Sequence, residues 1–164
     1  MLNAIPHELT RRTLGNVCLA SVGLAIHGTN TENVLTANAV ALVNGGLFNA
    51  FAAQTEIDIS GKSFFDAAGD SITAPTSVPD GYTCKFVLAA NSADAIVVIC
   101  GKPILTSQGD DADWPILPDG YAPFGGIKVG NASGAAFVIG TTDLDAAGIT
   151  DTYYNLMTIP ERAT

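Results

Sequence analysis

The chain has 164 residues, the size of one domain or of one domain with an arm, long enough to bury a core without disulfide or metal staples. Charged residues make up only 14%, against roughly 25% in ordinary soluble domains, so few side chains are available to cover surface with water-loving groups, and some of that surface is expected to be covered by other subunits. The net charge of −9 excludes a basic groove and makes contact with a phosphate backbone repulsive over most of the surface, so no nucleic acid is expected as partner.

Residues 1–15 (MLNAIPHELTRRTLG) hold most of the early charge and show no strand period. They read as an arm, with room for one helical turn from Pro6 to Arg12. One reading is a solvated, frayed terminus. The other is a locally basic arm that docks on a neighbouring acidic surface, with Pro6, His7, Arg11 and Arg12 as the contact residues. Arg11-Arg12 ahead of Val17–Ile26 faintly resembles an export signal. Glu8, Asn16 and Gly23 interrupt the pattern, and no clean cleavage site closes it before His27. No apolar stretch is long enough to span a bilayer, so no membrane is expected as partner.

From Val17 onward, short apolar runs alternate with turn signals. Val17–Ile26 and Val34–Val43 are candidate strands. Asn44-Gly45-Gly46 then leads into Leu47–Ala53, a hairpin signal because Asn and Gly tolerate positive φ. Glu56–Ser60 (EIDIS) alternates with period two, as a half-buried strand does. Residues 61–79 are rich in turn formers and read as a connection, with Ser63–Ala68 open between strand and turn.

The clearest internal signal is Val78-Pro79-Asp80-Gly81-Tyr82, which recurs as Leu117-Pro118-Asp119-Gly120-Tyr121. Pro fixes φ, Gly supplies a positive φ, and Tyr opens a strand with a large ring. Each copy leads into two apolar runs, Cys84–Ala90 with Ala95–Cys100 and Gly126–Val129 with Ala135–Ile139, which predicts two equivalent hairpins. A first turn centred on Ser92 and Ala93 sets Cys84 opposite Gly101 and turns Cys100 to the other side, unless a one-residue bulge brings the two together. Three cysteines are an odd count, and free buried thiols are expected, as in a reducing cytoplasm. Ile104–Trp114 and Thr141–Asp151 read as polar connections, and Tyr153–Ile159 as the last strand. About eight short strands with regular turns predict an all-β, jelly-roll-like β-sandwich over 16–164, with 1–15 as the arm.

A search for chemistry finds little. Asp110, Asp111 and Asp113, and Asp143 and Asp145 before Gly148, read as solvated acidic loops. The second group starts like a calcium loop, but Ala147 and Tyr154 stand where ligands should be. His7 and His27 have no evident acid and nucleophile partners. Gly61-Lys62-Ser63 ends like a phosphate loop, yet Glu56 replaces its first Gly. Asn131-Ala132-Ser133 has the form of a glycosylation sequon and reads more simply as a turn. Tyr82, Trp114 and Tyr121 read as core or subunit-packing residues in preference to a carbohydrate platform. No catalysis, metal or cofactor is expected.

Asn44–Phe48 with Ala52-Ala53, Pro79–Phe86, Leu117–Val129 and Phe137–Thr152 resemble stretches of small tailed-phage virion structural proteins. The resemblance covers residues 34–160 and rests on turn and strand pattern. It implies a capsid decoration, or cement, protein made in the host cytoplasm. Such a protein is a homotrimer bound to the major capsid protein on the outside of the shell, where it opposes genome pressure. An acidic exterior fits that position. A head- or tail-fibre module that binds a host glycan is the alternative.

Overall fold

The computed structural model describes residues 15–60, 62–65, 71–72, 75–108, 112 and 114–156. The docking candidates Pro6, His7, Arg11 and Arg12 lie outside them, as do Asp110, Asp111 and Asp113.

The fold is all-β. Its strands are β1 Val17–Cys18, β2 Leu24–Ile26, β3 Val34–Thr36, β4 Val40–Asn44, β5 Leu47–Phe51, β6 Lys62–Phe65, β7 Ser71–Ile72, β8 Ser77–Val78, β9 Tyr82–Ala90, β10 Ile96–Cys100, β11 Ile104–Leu105, β12 Ala122–Asn131, β13 Phe137–Val138 and β14 Ile149–Asn155. A central sheet runs β14-β12-β9-β10-β6-β7, with β11 also paired to β9. The β10–β6 pair is parallel, a departure from a purely antiparallel jelly-roll winding. A second sheet, β1-β4-β5, packs on it; β2-β3 and β8-β13 are two-stranded ribbons.

The two candidate strands Val17–Ile26 and Val34–Val43 form one long antiparallel hairpin with a break in its middle. β1 pairs with β4 and β2 with β3 in the same register. Across the break Ala37 N–H donates to Gly23 O at 3.2 Å and Asn38 N–H to Val22 O at 2.9 Å. The inner half joins the small ribbon and the outer half joins the second sheet. Sequence period alone does not show the break, because both halves are apolar. Glu56–Ser60 keeps its alternation, with Ile57 and Ile59 buried and Glu56 and Asp58 exposed, but it makes a single bridge to Val34 and not a ladder.

One core lies between the sheets. Cys84, Phe86, Leu88 and Ala90 of β9 and Phe124, Ile127 and Val129 of β12 meet Leu42 and Phe51 of the second sheet. The Phe51 and Phe124 rings are 4.8 Å apart. Burying a Phe or Leu side chain is worth about 1.5–3 kcal/mol each, so this layer carries most of the sandwich. The opposite face of the central sheet also buries Val87, Ala89 and Ile99. Trp114 lies across that face above Gly126, where a Cβ would come within 2.6 Å of the indole.

Both Pro-Asp-Gly-Tyr copies form the expected turn, with φ of +76° at Gly81 and +82° at Gly120. The two hairpins are not equivalent. The strands that follow the two turns, β9 and β12, pair with each other. Val129 faces Cys84 on one side and Asp151 on the other. Both edges of β12 are therefore filled, and Phe137–Val138 pairs instead with Ser77–Val78. Ile104–Leu105 is a strand on β9 and Thr106–Gln108 a 3-10 turn, where a polar loop was expected. The last strand begins earlier than expected, at Ile149.

The cysteine geometry also differs from the expectation. Asn91 Oδ1 accepts from the Ala93 and Ala95 N–H groups, and Asp94 takes a φ of 60°. This widens the turn so that it centres on Ala93, and Cys100 faces Phe86. Cys84 and Cys100 then share the inner face, with their sulfurs 3.5 Å apart, and no bulge is needed. All three cysteines are free and buried. The neighbouring Cys100 thiol and burial push the Cys84 thiol well above its ordinary range, and burial raises that of Cys18. Since the thiolate is the reactive form, a disulfide-exchange reagent at neutral pH is expected to label none of the three in the native protein and all three in denaturant. Rapid native labelling of one thiol would contradict this packing.

Candidate assembly surface

The feature that stands out is the outer face of the second sheet. Gly45 and Gly46, at φ of +58° and +83°, form the two-residue turn that joins β4 to β5. Positive φ at both positions matches the twist of the flanking strands. Asn44 is the last strand residue, paired with Leu47, and not part of the turn. Gly45 N–H is held by Asn16 Oδ1 at 2.8 Å, which ties the turn to the start of β1.

Side chains alternate across a strand. Leu42 and Phe51 of this sheet point into the core. Their neighbours therefore point to the other face, and the register places Val17 beside Val43, which is buried at 1% exposure, beside the exposed Phe48. In the next row Leu19, whose N–H donates to Ala41 O at 3.0 Å, lies beside Ala41 and Ala50. Every one of these outward residues is apolar. An antiparallel sheet with one face in water normally shows polar residues there. Phe48 is 71% exposed, Leu47 at the hairpin end 62% and Leu19 43%. An open groove of about 790 Å³ runs along this region, floored by Ala39, Ala41 and Ala50 and flanked by Leu19 and Phe48.

The surface is also free of charge. Between Arg12 and Glu56 the only Asp, Glu, Lys or Arg is Glu32. Glu32 lies in the distant hairpin tip, between β2 and β3. The tip is organised by Glu56, whose Oε1 accepts from Asn30 Nδ2 at 2.6 Å and Asn33 Nδ2 at 2.7 Å. These bonds hold the Glu56 carboxyl below its ordinary range. Covering the apolar face thus desolvates no charge borne by its own strands, the largest penalty an interface can carry; Asp94, 3.4 Å from Asn49 Nδ2, stands beside the β5 edge.

The sequence-derived packing residues lie elsewhere and are not brought together. Tyr82 packs against the inner core. Trp114 is on the opposite face of the central sheet, edge-on to Tyr154 at 5.1 Å and 5.0 Å from the Lys85 ammonium. Tyr121 is half-buried just ahead of β12. The apolar sheet face was missed because its strands were read one at a time. Its signal is the run Ala39–Ala53, apolar at both odd and even positions where a half-buried strand would alternate.

Other candidate sites resolve into structural roles. Asn131 is 2% exposed. Its Nδ2 donates to Val78 O and Ala135 O, both at 2.8 Å. Its Oδ1 accepts from Ser133 N–H at 3.1 Å and from Ser133 Oγ at 2.7 Å. An amide so engaged holds the turn, as expected, and is not presented for glycosylation. Among the described residues no group of three His, Cys, Asp or Glu side chains is placed to hold a metal ion, and no helix is long and apolar enough to cross a membrane. No protein-family model, curated protein or solved structure matches the chain.

Proposed function

We propose that the chain is a capsid decoration protein, a non-catalytic block on the outside of a tailed-phage shell that binds the major capsid protein and other copies of itself. The observation that carries this reading is the apolar, charge-free outer face of β1-β4-β5 on a chain whose net charge is −9. An apolar patch of this kind marks a contact surface. The acidic remainder faces the medium. The resemblance of residues 34–160 to small phage virion proteins supplies the setting. The chemistry asked of such a protein is mechanical: apolar area buried between shell subunits adds contact that must be broken before the shell opens.

The test is a comparison of particles with and without the protein. Particles lacking it are expected to release their DNA at a lower temperature, and adding the purified chain back is expected to restore the difference. Equal release temperatures would remove the proposal. A few copies per particle, in place of many, would point to the fibre-module alternative.

A further inference from the structure

We propose that two copies of this chain join edge to edge through β5, antiparallel, about a two-fold axis at Asn49. The pairing is a property of the isolated chain and does not depend on the capsid role.

The first argument is the backbone. Among the described residues β5 pairs only with β4, so it is the edge of its sheet. In a two-residue hairpin the residues that close the turn exchange both hydrogen bonds, and the pattern then alternates. Asn44 and Leu47 are that closing pair. Leu47, Asn49 and Phe51 therefore direct their N–H and C=O groups to β4. Phe48 and Ala50 direct theirs to the open side. Natural edge strands are commonly guarded by Lys, Pro or an inward charge against pairing with another chain. Residues 47–51 (LFNAF) contain none of these.

The second argument is self-complementarity. An antiparallel pair centred on Asn49 sets Phe48 of one copy opposite Ala50 of the other, and the reverse. All four outward N–H and C=O groups of each edge then meet a partner. On the outer face a large ring lies over a small side chain at both positions. Beyond Ala50 the ring reaches the Ala-floored groove beside Leu19. Copies shifted by one residue would set the outward groups of one strand against the inward groups of the other, and a two-residue shift would pair only one of Phe48 and Ala50 within the strand, so the register centred on Asn49 makes the most bonds.

The third argument selects the partner. Two chains of charge −9 repel over most of their surface. Strands β4 and β5 carry no charge of their own, so two copies approach there at the least cost; Asn49 Nδ2 donates to Ser92 O at 2.6 Å and to Asp94 Oδ1 at 3.4 Å, so the Asp94 carboxylate is the charge that stands beside that edge. A basic partner would be drawn to the acidic remainder. A five-residue edge is smaller than the roughly 800 Å² per partner of a stable interface, so Leu19 and Phe48, which share the outer face, must be covered together with the strand.

The native mass of the purified chain tests this. The expected mass is twice 16.8 kDa. Phe48→Lys changes a side chain that is 71% exposed, so it should leave the circular dichroism spectrum unchanged and give the mass of one chain. Under mild oxidation Asn49→Cys should cross-link to itself, because the two copies meet there, and Leu47→Cys should not. A single-chain or three-chain mass for the unaltered protein overturns the proposal. So does a Phe48→Lys protein that keeps the double mass, or cross-linking at position 47 in place of 49.

Discussion

Gly140→Ala is expected to be among the most damaging single-methyl changes in this chain, lowering stability by roughly 3–5 kcal/mol. Two effects add. Gly140 has a φ of +69°, where a residue with a Cβ costs about 1–2 kcal/mol. The added Cβ would also lie 2.2 Å from Ser60 Cβ and 2.6 Å from Ser60 Cα. Backbone cannot yield as a flexible side-chain end can, so the Glu56–Ser60 segment or the turn after β13 has to move. Ile57 and Ile59 are buried in that segment, at 5% and 0% exposure, and movement there opens the core. For a domain of this size each kcal/mol is worth about 2–4 °C, so a melting temperature roughly 10 °C lower or more is expected. Gly134→Ala separates the two effects. Its φ is +78° with nothing within 4 Å, so it should lose only the conformational part, about 1–2 kcal/mol. Equal losses at the two positions would show that the close approach to Ser60 contributes nothing.

Asn131→Ala is expected to cost about 2–4 kcal/mol, read as a shift of the urea midpoint at unchanged slope. The Asn131 amide group joins its own loop to a distant piece of chain. It reaches Val78 ahead of the first Pro-Asp-Gly-Tyr turn, Ala135 ahead of β13, and Ser133 in its own loop. The same junction is held by Gly81 N–H to Asn131 O at 2.7 Å and by Gly134 N–H to Asp80 Oδ1 at 2.9 Å. Removing the amide strips its bond from the buried Val78 carbonyl and frees the Ser133 N–H, while Ala135 O keeps the Ser133 hydroxyl at 3.2 Å; the cost at Val78 outweighs the small volume lost. Asn131→Asp is expected to be worse than Asn131→Ala, because a carboxylate would face the two carbonyl oxygens that the amide NH₂ now serves. If Asp proved better tolerated than Ala, the donor role assigned to Nδ2 would be wrong.

These two positions illustrate how local signals and packing divide the work. The Pro-Asp-Gly-Tyr turns were legible because their chemistry is local: Gly81 and Gly120 need only their own backbone freedom. The Glu56–Ser60 alternation was legible for the same reason, since burial of Ile57 and Ile59 follows from strand geometry. What the repeat could not reveal was its pairing. Two copies of one turn suggested two hairpins, yet β12 found β9 and β14 on its two sides and left Phe137–Val138 to seek β8. Pairing is decided by which edges remain open once the longest strands have met, and that is a property of the whole sheet.

The cysteines and the assembly surface repeat the lesson at finer scale. A shift in the centre of one turn, caused by the Asn91 side chain and the left-handed Asp94, moved Cys100 onto the same face as Cys84. A small change in a turn reverses every side-chain direction beyond it, so register cannot be read from apolar runs alone. The outer face of β1-β4-β5 needed both register and neighbours. Val17, Leu19, Ala41, Val43, Phe48 and Ala50 come from three stretches of chain, and none of those stretches is unusual by itself.

The sequence by itself determined the all-β class, the turn positions and the poverty of charge, because each follows from residue type and short-range backbone preference. Only the tertiary structure decided which strands are neighbours, where the three thiols lie, and that one sheet turns an apolar face outward. Those depend on contacts between residues distant in the chain, and such contacts are selected by the competition of all strands for the same edges and the same core.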